Sequence, residues 1–122
     1  MRYALVILLL LCSLHAEAEP FENWTPTEKA LFAATQLALL ADYKSTSSLL
    51  YPDRGYRELN PLIGEQPGND RLAAWFVGLS LGHYFIADYL GHEDRKTYLW
   101  IVPSIHAAAT LNNLSLGATI KF

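Results

Sequence analysis

The sequence predicts an all-α protein, a small helical membrane bundle of three transmembrane helices behind a cleaved signal peptide. Three features predict it. The chain opens with a short positive region and an apolar core; three further apolar segments of helical length follow; and aromatic residues bracket those segments as interface anchors do. Of 122 residues, 52% are hydrophobic and 17% charged, a composition that suits one small helical unit and is apolar for a protein of this size. The formal net charge is -3 with no lysine or arginine run, so the electrostatic footprint for nucleic acid is missing and that partner is excluded.

Arg2 precedes the apolar run from Ala4 to Leu14, and Ala16-Glu17-Ala18 supplies an A-x-A cleavage site. Residues 1–18 therefore read as the signal peptide and 19–122 as a single helical membrane domain. The apolar core is short for an uncut first span. Cys12, the one cysteine, leaves with the leader, so the mature chain can hold no disulfide or thiolate metal site, and any metal would need histidine and carboxylate ligands. No motif calls for a cofactor.

The first helix is announced by Thr25 as N-cap, Pro26 at the first helical position and Glu28 three residues after the cap, and is placed at 26–50. At about 1.5 Å per residue that length exceeds a hydrocarbon core of about 30 Å. Gln36, Asp42 and Lys44 interrupt it, and an aspartate or lysine near a bilayer centre costs about 2.5–3.5 kcal/mol. Pro52, Gly55, Pro61, Gly64, Pro67 and Gly68 make 51–69 a loop, after which Asn69 and Asp70 offer caps for a second helix at 70–90 that Gly91 ends. A charged turn, His92 to Lys96, leads to a third helix at 97–114 with a kink expected at Pro103. The tail, 115–122, alternates apolar and polar residues and resembles the closing strand of outer-membrane barrels. Three helices leave too little chain for eight strands of about 10 residues, so it reads as a short extended tail or a fraying helix end.

Two rows of small residues, Ala30, Ala34 and Ala38 on the first helix and Ala74, Gly78 and Gly82 on the second, predict close packing of those helices. Trp24, Tyr89, Tyr98 and Trp100 form one aromatic belt, and Tyr51, Tyr56 and Trp75 the other.

Each apolar segment carries an ionisable side chain where hydrocarbon would penalise it: Asp42, His83 with Asp88, and His106. Depth along the helices groups Asp42, His83 and His106 near one level and leaves Asp88 and His92, four residues apart, as an interfacial ion pair. A converging trio could fix helix register by hydrogen bonds, relay a proton, act as a general base, or offer two nitrogens and one oxygen to a divalent metal. The catalytic candidates and the metal candidates are thus the same three residues. Thr35, Asp42 and Thr46 add a polar stripe on the first helix.

The most motif-like stretch is Glu58-Leu59-Asn60-Pro61-Leu62-Ile63-Gly64. Asn60 before Pro61 favours an extended or turn backbone whose side chain bonds the local main chain, so a structured turn beneath the helices and a plain loop are both open, with Glu58, Asn60, Pro61 and Gly64 as its structural residues. With Asp42 and the Ser45/Thr46 pair, this stretch resembles a family of uncharacterised small microbial multi-pass membrane proteins that combine an intramembrane aspartate and threonine with an E-x-N-P loop. The resemblance implies a helical membrane protein and brings no activity with it.

The resulting expectation is an accessory or scaffold protein of the bacterial inner membrane, its mature N-terminus periplasmic, whose partners are the lipid bilayer and either a second copy of itself or a larger membrane protein. Two alternatives stay open: a soluble or peripheral helical protein of the periplasm, and a membrane enzyme or proton- or ion-handling protein that uses Asp42, His83 and His106.

Overall fold

A computed structural model describes residues 20–51 and 55–121; the expected signal peptide, Cys12 included, lies outside the described residues. Among the described residues there is no strand. A 3-10 turn, Phe21–Asn23, precedes α1 (Pro26–Leu50), α2 (Asn69–Tyr89) and α3 (His92–Ser115). The all-α architecture of three helices is the one the sequence predicts.

α1 starts on a full capping box. The Thr25 hydroxyl accepts from the Glu28 amide at 3.2 Å, and the Thr25 amide donates to Glu28 Oε2 at 2.7 Å, which satisfies two donors that a helix start leaves orphaned. The buried positions Glu28, Leu31, Thr35, Leu39, Asp42, Ser45 and Leu49 step by three or four, so they form one stripe, and α1 packs chiefly against α3. This stripe is half polar, and it brings Asp42 to the middle of the bundle.

α3 begins at His92, earlier than the expected 97, because the charged segment is its first turn and not a connection. Gly91 is the N-cap, and Glu93 and Asp94 sit where the helix dipole favours acids. α2 and α3 therefore meet at a corner of two residues, Leu90 and Gly91. Arg95, fully buried, stabilises that corner: its guanidinium donates to the Ala87 carbonyl at 2.7 Å and the Leu90 carbonyl at 2.6 Å, closing the end of α2, and to Glu28 Oε1 at 3.1 Å. It also lies 4.8 Å from the Trp24 ring centroid. Trp24 is 3% exposed and packs with Leu31, Ala87 and Leu99, so it is a core residue and not a belt anchor.

No helix among the described residues is long and apolar enough to cross a membrane, which corrects the expected transmembrane spans. The helices have the length but not the continuity. Lys29, Gln36, Asp42 and Lys44 interrupt α1; α2 opens on Asn69, Asp70 and Arg71; α3 opens on His92 to Lys96 and closes on Asn112 and Asn113.

The expected close approach along small residues is also corrected. Ala30, Ala34, Ala74 and Gly78 are exposed, and a Cβ added at Gly78 or Gly82 would meet nothing within 4 Å. α1 and α2 meet through larger groups instead: the Ser80 hydroxyl donates to Gln36 Oε1 at 2.5 Å, the Tyr43 and Phe76 rings lie 5.4 Å apart, and Leu50, Ile63 and Leu72 form a small core. Burying those side chains removes more apolar surface from water than a row of alanines would.

The tail is neither strand nor helix. Gly117, at φ 93°, lets the Ala118 amide turn back to the Asn113 carbonyl at 3.0 Å, and the Thr119 amide then donates to the Ser48 hydroxyl at 2.8 Å.

Candidate functional site

The bundle brings Asp42, His83 and His106 together, one from each helix. Asp42 Oδ2 lies 2.7 Å from His106 Nδ1, His106 Nε2 lies 3.4 Å from His83 Nε2, and His83 Nδ1 lies 2.5 Å from the Tyr98 hydroxyl. The result is an unbroken chain from carboxylate to phenol. With both imidazoles neutral, its polarity is fixed. An ionised carboxylate can only accept, so Nδ1 of His106 carries hydrogen; Nε2 of the neutral ring then accepts from Nε2–H of His83, whose Nδ1 accepts from the Tyr98 O–H. Every hydrogen points toward Asp42.

Burial sets the chemistry of each link. The side chains of Asp42 and His106 are only 11% and 12% exposed. Burial, and after it the neighbouring His106, holds His83 below its ordinary value near 6.5, and burial pushes the Tyr98 phenol up to about 12, so it remains a donor at any physiological pH. Around the carboxylate, the Thr46 hydroxyl donates to Asp42 Oδ1 at 3.3 Å, and the Asn113 amide donates to the Thr46 and Ser45 hydroxyls at 3.0 Å each. The Thr110 hydroxyl donates to the His106 carbonyl at 2.9 Å.

The metal reading of the trio does not fit this geometry. Asp42 and His83 occupy opposite nitrogens of the His106 ring, so the three donors do not converge on one point. Among the described residues no group of three or more histidine, cysteine, aspartate and glutamate side chains is placed to hold a metal ion.

A cavity of about 390 Å³ opens beside the carboxylate end of the chain. Asp42, Thr46, His106 and Asn113 form one part of its lining; Leu49, Ile63, Trp75, Phe76 and Leu79 form apolar walls; and Tyr56, Glu58 and Asn60 reach it from the loop. That volume lies in the range of small-molecule sites.

The loop is built to hold its shape. Glu58 Oε1 accepts from the Asn60 amide at 2.9 Å, Asn60 Oδ1 accepts from the Leu62 amide at 3.0 Å, and the Asn60 carbonyl accepts from the Gly64 amide at 3.2 Å. Gly64, at φ 86°, provides the left-handed residue that ends the turn opened by Pro61. Ile63 enters the core, and the Tyr56 hydroxyl donates to the Leu116 carbonyl at 2.8 Å, tying the loop to the end of α3. The Tyr51 hydroxyl donates to the Pro67 carbonyl at the other side.

Asp88 and His92 do not form the expected pair. α2 ends before His92, whose Nδ1 lies 3.0 Å from Glu28 Oε1 and whose Nε2 lies 3.7 Å from Glu93. Glu28 is thereby shared between His92 and Arg95. Burial raises its carboxyl, but hydrogen bonds from Thr25 and His92 and the Arg95 charge outweigh this and leave it below its ordinary range.

Three contributors escaped the sequence reading. The sequence places Tyr98 in an aromatic belt and Arg95 in the charged turn from His92 to Lys96, and it offers Asn113, near the end of the third helix, as a cap or a bridge to the loop. A signal for the first two is present: Tyr98, Val102, His106, Thr110 and Asn113 recur at three or four residues along α3 and share one face. Comparison of the chain with protein-family models, curated proteins and solved structures returns no match.

Proposed function

We propose that this protein handles protons at a small-molecule site. The Asp42–His106 pair acts there as general base and acid toward a ligand in the adjoining cavity, and His83 and Tyr98 extend the route by which a proton is taken up or passed on. The observation that carries this reading is the four-member hydrogen-bond chain with its carboxylate end at the cavity wall. A histidine oriented by a carboxylate through Nδ1 keeps Nε2 as its basic atom, and here that atom accepts from His83, so the Asp42 carboxylate is the group that meets the ligand's proton and His106 couples it to the rest of the chain. Asp42 and Thr46 line the same cavity as Glu58, Leu59 and Asn60 of the E-x-N-P loop, and that supports one shared role for the residues that carry the sequence resemblance.

The test is complementation of a deletion strain in the native host with Asp42→Asn and Tyr98→Phe, alongside immunoblots. Loss of complementation at normal abundance supports proton handling. Full complementation by both variants would refute it, and loss of both proteins by degradation assigns the chain to stability alone.

A second reading, an accessory or scaffold protein held against a partner or a bilayer surface, is favoured by apolar rows left open. Val77, Leu81 and Phe85 on α2 are 60%, 56% and 65% exposed at steps of four, and Ile101 and Ile105 repeat the pattern on α3. Release of the protein by alkaline carbonate, with no crosslinked species, argues against this role.

A further inference from the structure

The cavity beside Asp42 has a charge and aromatic character that select among ligands. Two carboxylates line it, Asp42 from α1 and Glu58 from the loop. The basic side chain in the lining, Arg57, donates to Glu65 Oε2 at 2.7 Å in a solvent-exposed pair, so its charge is already matched. His106 is a neutral ring in the directed chain and already donates through Nδ1 to Asp42, so it offers no positive charge to a ligand. Three aromatic side chains, Tyr56, Trp75 and Phe76, stand in the same lining, and their ring faces attract cations. Asn60 and Asn113 add amide groups whose main hydrogen bonds are spent on the loop and on α1.

We propose that the cavity binds a small organic cation, an ammonium group carried on an apolar or aromatic body, with the ammonium between Asp42 and Glu58 and the body against Trp75 and Phe76. An anionic ligand would meet two carboxylates and no free cation; a neutral ligand would leave Glu58 without a charged partner. Volume agrees, since about 390 Å³ admits a molecule of roughly ten to twenty heavy atoms and not a polymer. The proposal rests on the proton-handling reading in taking this cavity as the working site, and an ammonium there presents an N–H proton to the Asp42–His106 pair.

The test titrates the full chain with phenethylammonium, with neutral 2-phenylethanol and with anionic 3-phenylpropionate, following tryptophan fluorescence and calorimetric heat. Expected is saturable binding of the cation with a change at Trp75 that Trp75→Phe removes, and little or none with the other two. Glu58→Gln, which keeps the oxygen that accepts from the Asn60 amide, should weaken the cation about 10- to 100-fold, the worth of one hydrogen bond between charged groups. Equal or tighter binding of the alcohol or the propionate overturns the ligand class while leaving proton handling intact, because complementation tests that separately. Unchanged affinity in Glu58→Gln, or binding by none of the three at millimolar concentration, overturns it as well.

Discussion

Replacing Asp42 with asparagine is the most direct probe of the buried chain. The variant keeps shape and volume but exchanges an obligate acceptor for a group that both donates and accepts. In the wild type the carboxylate requires hydrogen on Nδ1 of His106, and through it on Nε2 of His83. Asparagine removes that requirement, so both tautomers of each ring become accessible and the chain loses its single direction. The 2.7 Å bond is charge-assisted and joins side chains that are 11% and 12% exposed, so its loss costs about 1.5–3 kcal/mol. In a domain of this size that lowers the melting temperature by on the order of 10 °C. Urea unfolding followed by circular dichroism measures the energy, and nitrogen NMR of labelled imidazoles reads the tautomers. Wild-type protein should show Nδ1–H at His106 and Nε2–H at His83, and the variant a mixture. Identical tautomers in both proteins, with stability unchanged to within about 0.5 kcal/mol, would refute the directed chain.

Other outcomes follow from the same contacts. Arg95→Leu should cost about 3–5 kcal/mol in urea unfolding, since it strands the buried Glu28 carboxylate and the Ala87 and Leu90 carbonyls together; a loss below about 1 kcal/mol would show that the α2–α3 corner holds without it. Acid should weaken the fold in two stages. His83 has a lowered value, so the unfolded chain takes up its proton first; stability is full above about 6.5 and falls as pH drops below it toward the folded value, a stage that His83→Gln abolishes. Glu28, also lowered, contributes fully above about 4.5 and is lost as pH falls through its folded value, which urea midpoints measured across that range will register. Gly64→Ala should cost about 1–2 kcal/mol from the left-handed backbone alone, because the added methyl meets nothing within 4 Å. Gly78→Ala, in open space within α2, should stabilise by about 0.5–1 kcal/mol; a loss on that scale would restore close packing along the small-residue row.

Local chemistry in the sequence determined a good deal by itself. The Thr25–Glu28 box, with Pro26 behind it, starts α1 through contacts among neighbours in the chain, and proline and glycine density forces the loop before α2, so neither depends on distant packing. The polar trio was legible because ionisable groups in apolar helices stand out wherever those helices go. What lay beyond reach was direction. Whether Ala30 and Gly78 face a neighbour or solvent, whether Arg95 turns outward or back onto the end of α2, and which nitrogen of His106 meets which partner all depend on helix rotation, and that is decided by which faces bury the most apolar surface together. The same packing folds the Glu58–Gly64 turn beneath the helices and so makes one cavity from residues that are remote in sequence. Composition marked the residues that carry the site; only the tertiary structure aligned them into a chain ending at a cavity, because hydrogen bonds between helices form only after the helices have chosen their faces.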